Sequence, residues 1–184
     1  MAGEPPQTMD IRMSLAITIL DAAQARAVLP SLIDILVDGV RGGASIGFMN
    51  PFEPAEALDW WEGVLAEVEA GRTVLFAARE GDAVLGTAQL IPATKPNQPH
   101  RADVSKVIVH RAARRRGIGR TLMEAVDAEA RRRGLLVLVL DTATGSPAEA
   151  LYQRTGWRKV GVVPDYAMWP DGGFCGTTFY WKNP

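Results

Sequence analysis

The sequence predicts an α/β (α+β) sandwich, with a mixed central sheet of about seven strands flanked by about four helices. Three observations predict it. Alternating or all-apolar segments recur at strand length, segments of helical period separate them, and hairpin strands come first with strand–helix–strand crossovers later. Hairpins give antiparallel pairs and crossovers give parallel ones, so one sheet holds both.

Each element carries its own signal. Ile11, Met13, Leu15, Ile17 and Ile19 alternate, which is a strand. Leu29, Leu32, Ile33, Leu36, Val37 and Val40 fall on one helical face, with Pro30 at its first turn or at a kink and Gly42 and Gly43 at its end. Residues 42–52 have no periodicity and form a long connection, of the kind that is often functional. Pro54 starts a helix running to Ala70, with Trp61, Leu65 and Val68 on one side and Gly71 as its stop. Residues 73–79 and 83–91 are strands joined by a Glu80-Gly81-Asp82 turn, and residues 92–101 are a Pro-rich loop. Residues 103–109 are a strand whose two side-chain rows do not alternate cleanly, as burial on both faces or a bulge produces. Residues 117–133 are a helix with Leu122, Met123, Val126 and Ala130 inward. Arg131, Arg132 and Arg133 suit its C-terminal dipole, and Gly134 caps it. Residues 135–141 are a central buried strand and residues 147–155 a short helix. Residues 157–163 and 175–182 close the sheet as an antiparallel pair, joined by a loop holding Pro164, Pro170, Gly172 and Gly173.

The 184 residues suit one domain, expected over 11–184 after a flexible tail at 1–10. With 47% apolar and 22% charged residues, disorder and fibrous classes are excluded. The net charge of −1 provides no field for nucleic acid or an anionic membrane, so neither is expected as a partner. A lone Cys175 rules out an internal disulfide and a CxxC zinc site, and points to a reducing, cytoplasmic compartment. His100 and His110 read as ordinary surface or loop residues, and no metal site is expected. The longest apolar run, 135–140, is far too short to cross a bilayer, and the N-terminus has no apolar signal region.

The strongest chemical signal is the passage from Val107, Ile108 and Val109 through a basic turn into Gly117, Ile118 and Gly119. A helix N-terminus offers unpaired N–H groups and a partial positive charge to an anion. Gly117 and Gly119 admit close backbone approach, and Arg114, Arg115, Arg116 and Arg120 add charge. The turn suits a pyrophosphate, or else it is a basic turn capping a helix. It lacks the Gly-Lys-Ser/Thr of a Walker loop, and Leu122 stands where GxGxxG needs glycine.

Arg114-x-x-Gly117-x-Gly119 after an apolar strand resembles the acetyl-CoA loop of the GNAT N-acetyltransferase superfamily. Residues 148–157, a short helix carrying Tyr152 and ending in Gly156-Trp157, resemble that superfamily's second signature. Residues 42–49, Ala88-Gln89-Leu90, Lys95-Pro96-Asn97, residues 101–104, Leu140-Asp141-Thr142, Gly145-Ser146 and Pro170-Asp171-Gly172 are similar to the tabtoxin-resistance acetyltransferase subfamily. The resemblance implies a GNAT fold and an acetyl-CoA-dependent enzyme that acetylates a small-molecule amine directly in a ternary complex. The acceptor would be an amino-acid-like metabolite or a toxin. It implies cofactor contacts from Val107, Ile108, Val109, Arg114, Arg115, Arg116, Gly117, Ile118, Gly119, Arg120, Thr121 and Tyr152. The bulged strand would offer backbone N–H groups to the acetyl carbonyl. Ser146 stands near the superfamily's usual Asn, where it either contacts pantetheine or caps the helix.

An alkyl ammonium has a pKa of about 10.4, so the amine must lose a proton before it attacks. Asp103 and Asp141, each opening or ending a central strand, are the two candidates for base or amine binder. Tyr152 sits where the superfamily has its general acid for the leaving thiol. The acceptor pocket is expected between residues 42–52 and a loop around Tyr166, Met168 and Trp169, with Phe48, Asn50, Asp103, Asp141, Tyr166 and Trp169 contacting substrate. Trp60 and Trp61 read as core packing. A protein or peptide amine acetyltransferase and a non-catalytic acyl-CoA-binding module are the alternatives, and the chain is expected as a monomer or a homodimer.

Overall fold

The computed structural model describes residues 14–184. Its seven strands form one mixed sheet in the order β1-β2-β3-β4-β5-β7-β6. The elements are β1 (Ala16–Leu20), α1 (Ala22–Ala27), α2 (Leu29–Arg41), α3 (Pro54–Glu69), β2 (Val74–Glu80), β3 (Ala83–Pro92), β4 (Arg101–Val109), α4 (Ile118–Arg132), β5 (Val137–Ala143), α5 (Pro147–Arg154), β6 (Arg158–Met168) and β7 (Phe174–Lys182). A 3₁₀ turn, Arg111–Ala113, precedes α4.

The expected sandwich is present, with five α-helices rather than about four. The additional helix, α1, has six residues and an apolar face made mostly of alanine, so it leaves little periodic trace. It exists because Asp21 and Gln24 form a reciprocal capping box. Of the first predicted strand, Ile17 and Ile19 lie in β1, while Ile11 and Met13 lie outside the described residues, as does the expected tail.

Alternate residues of β2 enter two different cores, which explains its nearly continuous apolar run. Val74, Phe76 and Ala78 pack with Ile118, Leu122, Met123 and Val126 of α4. Leu75 and Ala77 pack with Leu32, Ile35 and Leu36 of α2 and with Trp61 and Leu65 of α3. Trp61 is fully buried and donates its indole N–H to the Leu32 carbonyl at 2.9 Å, so this tryptophan is core as expected.

The expected loop around Tyr166 and Met168 is corrected. Both residues belong to β6, which continues past Pro164 to Met168. Between Val163 and Ala167 the pairing with β7 shifts, and Asp165 has φ +51°. Proline is tolerated because β6 is an edge strand and the proline sits in a bulge. The connection that remains is the Trp169 to Gly173 turn.

Two irregularities position the site. β4 and β5, the one parallel pair among the described residues, are in register only at Arg101–Val137, Ala102–Leu138 and Asp103–Val139, and then part. On its other side β4 pairs with β3 at Ser105–Gln89 and Ile108–Thr87, so Lys106 and Val107 together oppose Ala88. This is the bulge that the broken alternation suggested, and Lys106 has φ +49° in it.

Candidate active site

Where β4 and β5 part, a cavity of about 700 Å³ opens. Gly42 to Ile46 form one wall, Val107 to Val109 another, and the first turns of α4 and α5 a third. The end of α2 is tied to this rim. Asp38 accepts both the backbone N–H (2.8 Å) and the side-chain Nε–H (2.7 Å) of Arg111. His110 lies 3.3 Å from Asp34 and 3.6 Å from Asp38, beside the Asp38–Arg111 bonds that fasten the β4–α4 turn to α2.

The turn is an anion cradle. Among the described residues, no backbone N–H from Arg115 through Arg120 donates to a protein acceptor, and Thr121 is the first to pair, with the Gly117 carbonyl at 3.1 Å. Arg115 (φ +64°) and Gly117 (φ +81°) are left-handed, which curls the successive N–H groups into a concave nest. Arg114, Arg115 and Arg120 line the cavity, and Arg114 is braced by donating from Nε to the Val109 carbonyl at 3.1 Å. Gly119 lines it too, and a Cβ there would lie 3.1 Å from Leu151 Cδ2. The donor set fits the pyrophosphate of a coenzyme A.

Not every predicted cofactor residue is brought to the cavity. Arg116 turns away to pair with Glu80. Thr121 bonds through its hydroxyl to the Gly117 carbonyl and is absent from the cavity wall. Ser146 is in the wall and occupies the N-cap position of α5, but its hydroxyl lies 3.2 Å from the Thr142 hydroxyl and does not cap the helix. Tyr152 lies behind the wall that Leu151 forms. Its ring packs on Trp157 (6.1 Å) and Tyr180 (5.9 Å), and burial first, with the Asp141 charge, pushes its phenol pKa up.

Lys106, which the sequence did not single out, stands near the Asp141 carboxylate. Its ammonium donates to the Ile46 carbonyl at 2.8 Å and lies over the rings of Phe48 (5.6 Å) and Trp60 (5.4 Å). Burial lowers its pKa against the opposing charge of Asp141. Desolvation raises the Asp141 pKa, Lys106 lowers it, and Asp103 raises it. Asp141 and Lys106 therefore sense each other without forming an ion pair. Asp103 is partly taken up by Arg101, at 2.9 Å. The available signal was a lysine interrupting an apolar strand. Trp60, expected in the core, is half-buried and meets Phe48 edge to face at 5.7 Å.

The connection between α2 and α3 is strapped across this side. Ser45 Oγ donates to the Met168 carbonyl (2.7 Å), the Asn50 N–H to the Pro170 carbonyl (2.8 Å) and Asn50 Nδ2 to Asp171 (2.7 Å). Asn50 and Phe48 thus build the enclosure, and Trp169 reaches the cavity wall. Tyr166 is exposed and packs edge-on against Phe179.

The sequence model described as the acetyltransferase (GNAT) family matches residues 40–157. An uncharacterized N-acetyltransferase in the hisH-hisA intergenic region of Azospirillum brasilense is 36% identical over 117 residues, 61% of this chain and 67% of the relative. An L-methionine sulfoximine/L-methionine sulfone acetyltransferase of Pseudomonas paraeruginosa is 28% identical over 163 residues, covering 85% of this chain and 91% of that protein. The crystal structure of a ribosomal-protein-alanine N-acetyltransferase from Brucella melitensis superposes with a TM-score of 0.75 at 26% identity, covering 92% of this chain and 99% of that one.

Proposed function

Because the chain belongs to the acetyltransferase (GNAT) family, it is an acetyl-CoA-dependent N-acetyltransferase, and we propose that its acceptor is the primary amine of a small molecule, acetylated directly in a ternary complex. The observation that carries this reading is the strap of three hydrogen bonds from Ser45 and Asn50 to the end of β6 and the β6–β7 turn. It ties residues 45–50 to residues 168–171, which supports an enclosed acceptor side, where a protein substrate needs an open groove. The Pseudomonas relative, named for two small amino-acid-like acceptors, agrees with it. The proposed acceptor is accordingly an amino-acid-like metabolite or toxin, and the proposed setting is the cytoplasm. No helix among the described residues is long and apolar enough to cross a membrane.

Acetyl-CoA supplies the activated acetyl thioester. The N–H groups of Arg115 to Arg120, with Arg114, would hold its pyrophosphate. Val107, on the bulge where ladder pairing is interrupted and in the cavity wall, is the residue whose backbone would serve the thioester carbonyl. Asp141 binds the incoming ammonium and accepts its proton, directly or through water. A carboxylate raised above its ordinary pKa is a better proton acceptor than a free one, and Asp103, shared with Arg101, assists. Tyr152 is kept neutral by burial, and if its hydroxyl reaches past Leu151 it would supply a proton to the leaving sulfur.

A peptide-amine acceptor is the second reading, favoured by the name of the Brucella structure. Thiol release from acetyl-CoA, measured over a panel of amino-acid amines and N-terminal peptides, decides between the two. Turnover of small amines alone is expected, and faster turnover of peptides overturns the proposal. Tyr152→Phe is expected to lower kcat with little change in acetyl-CoA affinity, and an unchanged kcat removes Tyr152 from the mechanism.

A further inference from the structure

One face of the sheet gathers three charged side chains beneath the connection between α2 and α3. Val104, Leu138 and Leu140 enter the α4 core, so Asp103 and Asp141, their neighbours along β4 and β5, face the other way. Lys106 reaches that other side from the bulge, because the rings it lies against, Phe48 and Trp60, pack on the α2–α3 core. Its ammonium uses one N–H on the Ile46 carbonyl at 2.8 Å and has no ion-pair partner among the described residues. Lys106 is half-buried, and a desolvated cation is costly unless an anion meets it; two aromatic rings offset only part of that cost. Ile46 and Val107 both line the cofactor cavity, so the unmatched charge stands at the edge of the reacting centre.

We propose that Lys106 determines the acceptor's specificity, receiving the carboxylate of an α-amino acid while Asp141 receives its ammonium; the inference rests on the small-molecule reading above. The two ammonium N–H groups not given to Ile46 suit carboxylate oxygens. Asp141 and Lys106 stand close enough for each charge to act on the other, yet too far apart to pair. An α-amino acid carries its two opposite charges on either side of one carbon atom, and so answers both. Asp103 does not compete for the lysine, because Arg101 takes it up at 2.9 Å. The same lysine disfavours a plain amine, an amino-acid carboxamide or a peptide N-terminus, each of which brings a cation toward it and no adjacent anion.

The test compares glycine, L-alanine, L-norleucine and L-methionine sulfone, each as the free acid and as its carboxamide, by thiol release from acetyl-CoA. The wild-type protein is expected to favour the free acids, and to do so through KM, because a contact away from the reacting atoms binds ground and transition states alike. This arm needs no variant. In Lys106→Met the acid-over-amide ratio of kcat/KM is expected to fall about tenfold or more, the equivalent of one charge-assisted hydrogen bond, and in Lys106→Arg it is expected to be kept. Taking the ratio within each variant cancels effects on Asp141 or on folding that both substrates share. Amides turned over as well as acids, or one ratio in wild type and Lys106→Met, overturns the inference and leaves the small-molecule reading standing. An equal fall in Lys106→Arg shows that the lysine stem and not its charge is felt, and overturns it too. Acetylation of none of the pairs, with or without turnover of peptides, overturns both.

Discussion

Replacing Gly117 with alanine isolates what the left-handed turn costs and what it contributes. Gly117 is the N-cap of α4, with φ +81° and ψ −3°. An added Cβ would meet nothing within 4 Å, so no clash contributes and the whole effect is backbone strain. A left-handed L-residue costs about 1–2 kcal/mol. For a chain of this size each kcal/mol lowers Tm by about 2–4 °C, so a fall of about 2–8 °C is expected in a thermal melt. The backbone is held on both sides. Ile118 is 1% exposed in the core, and Gly119 stands close against Leu151. The cradle is therefore expected to keep its shape, with the acetyl-CoA Kd from isothermal titration rising less than about tenfold, because less than about 1.4 kcal/mol of binding is lost. A variant as stable as the parent would refute the claim that packing imposes the left-handed turn. Lost binding at unaltered stability would show that the turn relaxes instead of bearing strain.

Gly119→Trp is expected to abolish acetyl-CoA binding in the same titration, since its side chain must enter the cavity beside Leu151; retained binding sinks the cradle assignment. Lys106→Met removes the charge that lowers the Asp141 pKa, so the acid limb of kcat/KM should move to higher pH and Lys106→Arg should move it back. A stationary limb dismisses Asp141 as the base. Glu129→Gln tests a structural carboxylate: hydrogen bonds from Arg132 and Arg133 outweigh desolvation and hold Glu129 at about 2. A depressed acid stabilises the fold above its unfolded pKa. The variant should therefore lose about 1–2 kcal/mol at neutral pH, and the difference should vanish as pH falls through about 2; equal denaturation midpoints at pH 7 contradict it.

Local periodicity determined most of the fold. The helices beginning at Leu29, Pro54, Ile118 and Pro147 announce themselves through a one-sided apolar row or through Pro and Gly punctuation, and these signals are short-range. The basic turn between Val109 and Ile118 was legible for the same reason, because a cradle made of consecutive N–H groups is written in consecutive residues. α1 was not legible, because six residues held by one capping box carry little hydrophobic pattern. The course of β6 through Pro164 was not legible either, since whether proline ends a strand depends on whether that strand is an edge.

The acceptor side was decided by the tertiary structure. Asp103 and Asp141 were legible as carboxylates expected at strand ends, although β4 begins at Arg101 and β5 runs on to Ala143, so both lie inside their strands. Nothing local indicates that Lys106 lies near Asp141, since residues 35 positions apart meet only through the partial pairing of β4 and β5. The strap from Ser45 and Asn50 to residues 120 or more positions away is equally invisible along the chain. Spacing along a chain encodes periodic burial and consecutive donors. It does not encode which distant side chains share one desolvated volume, and that sharing sets charge, enclosure and specificity here.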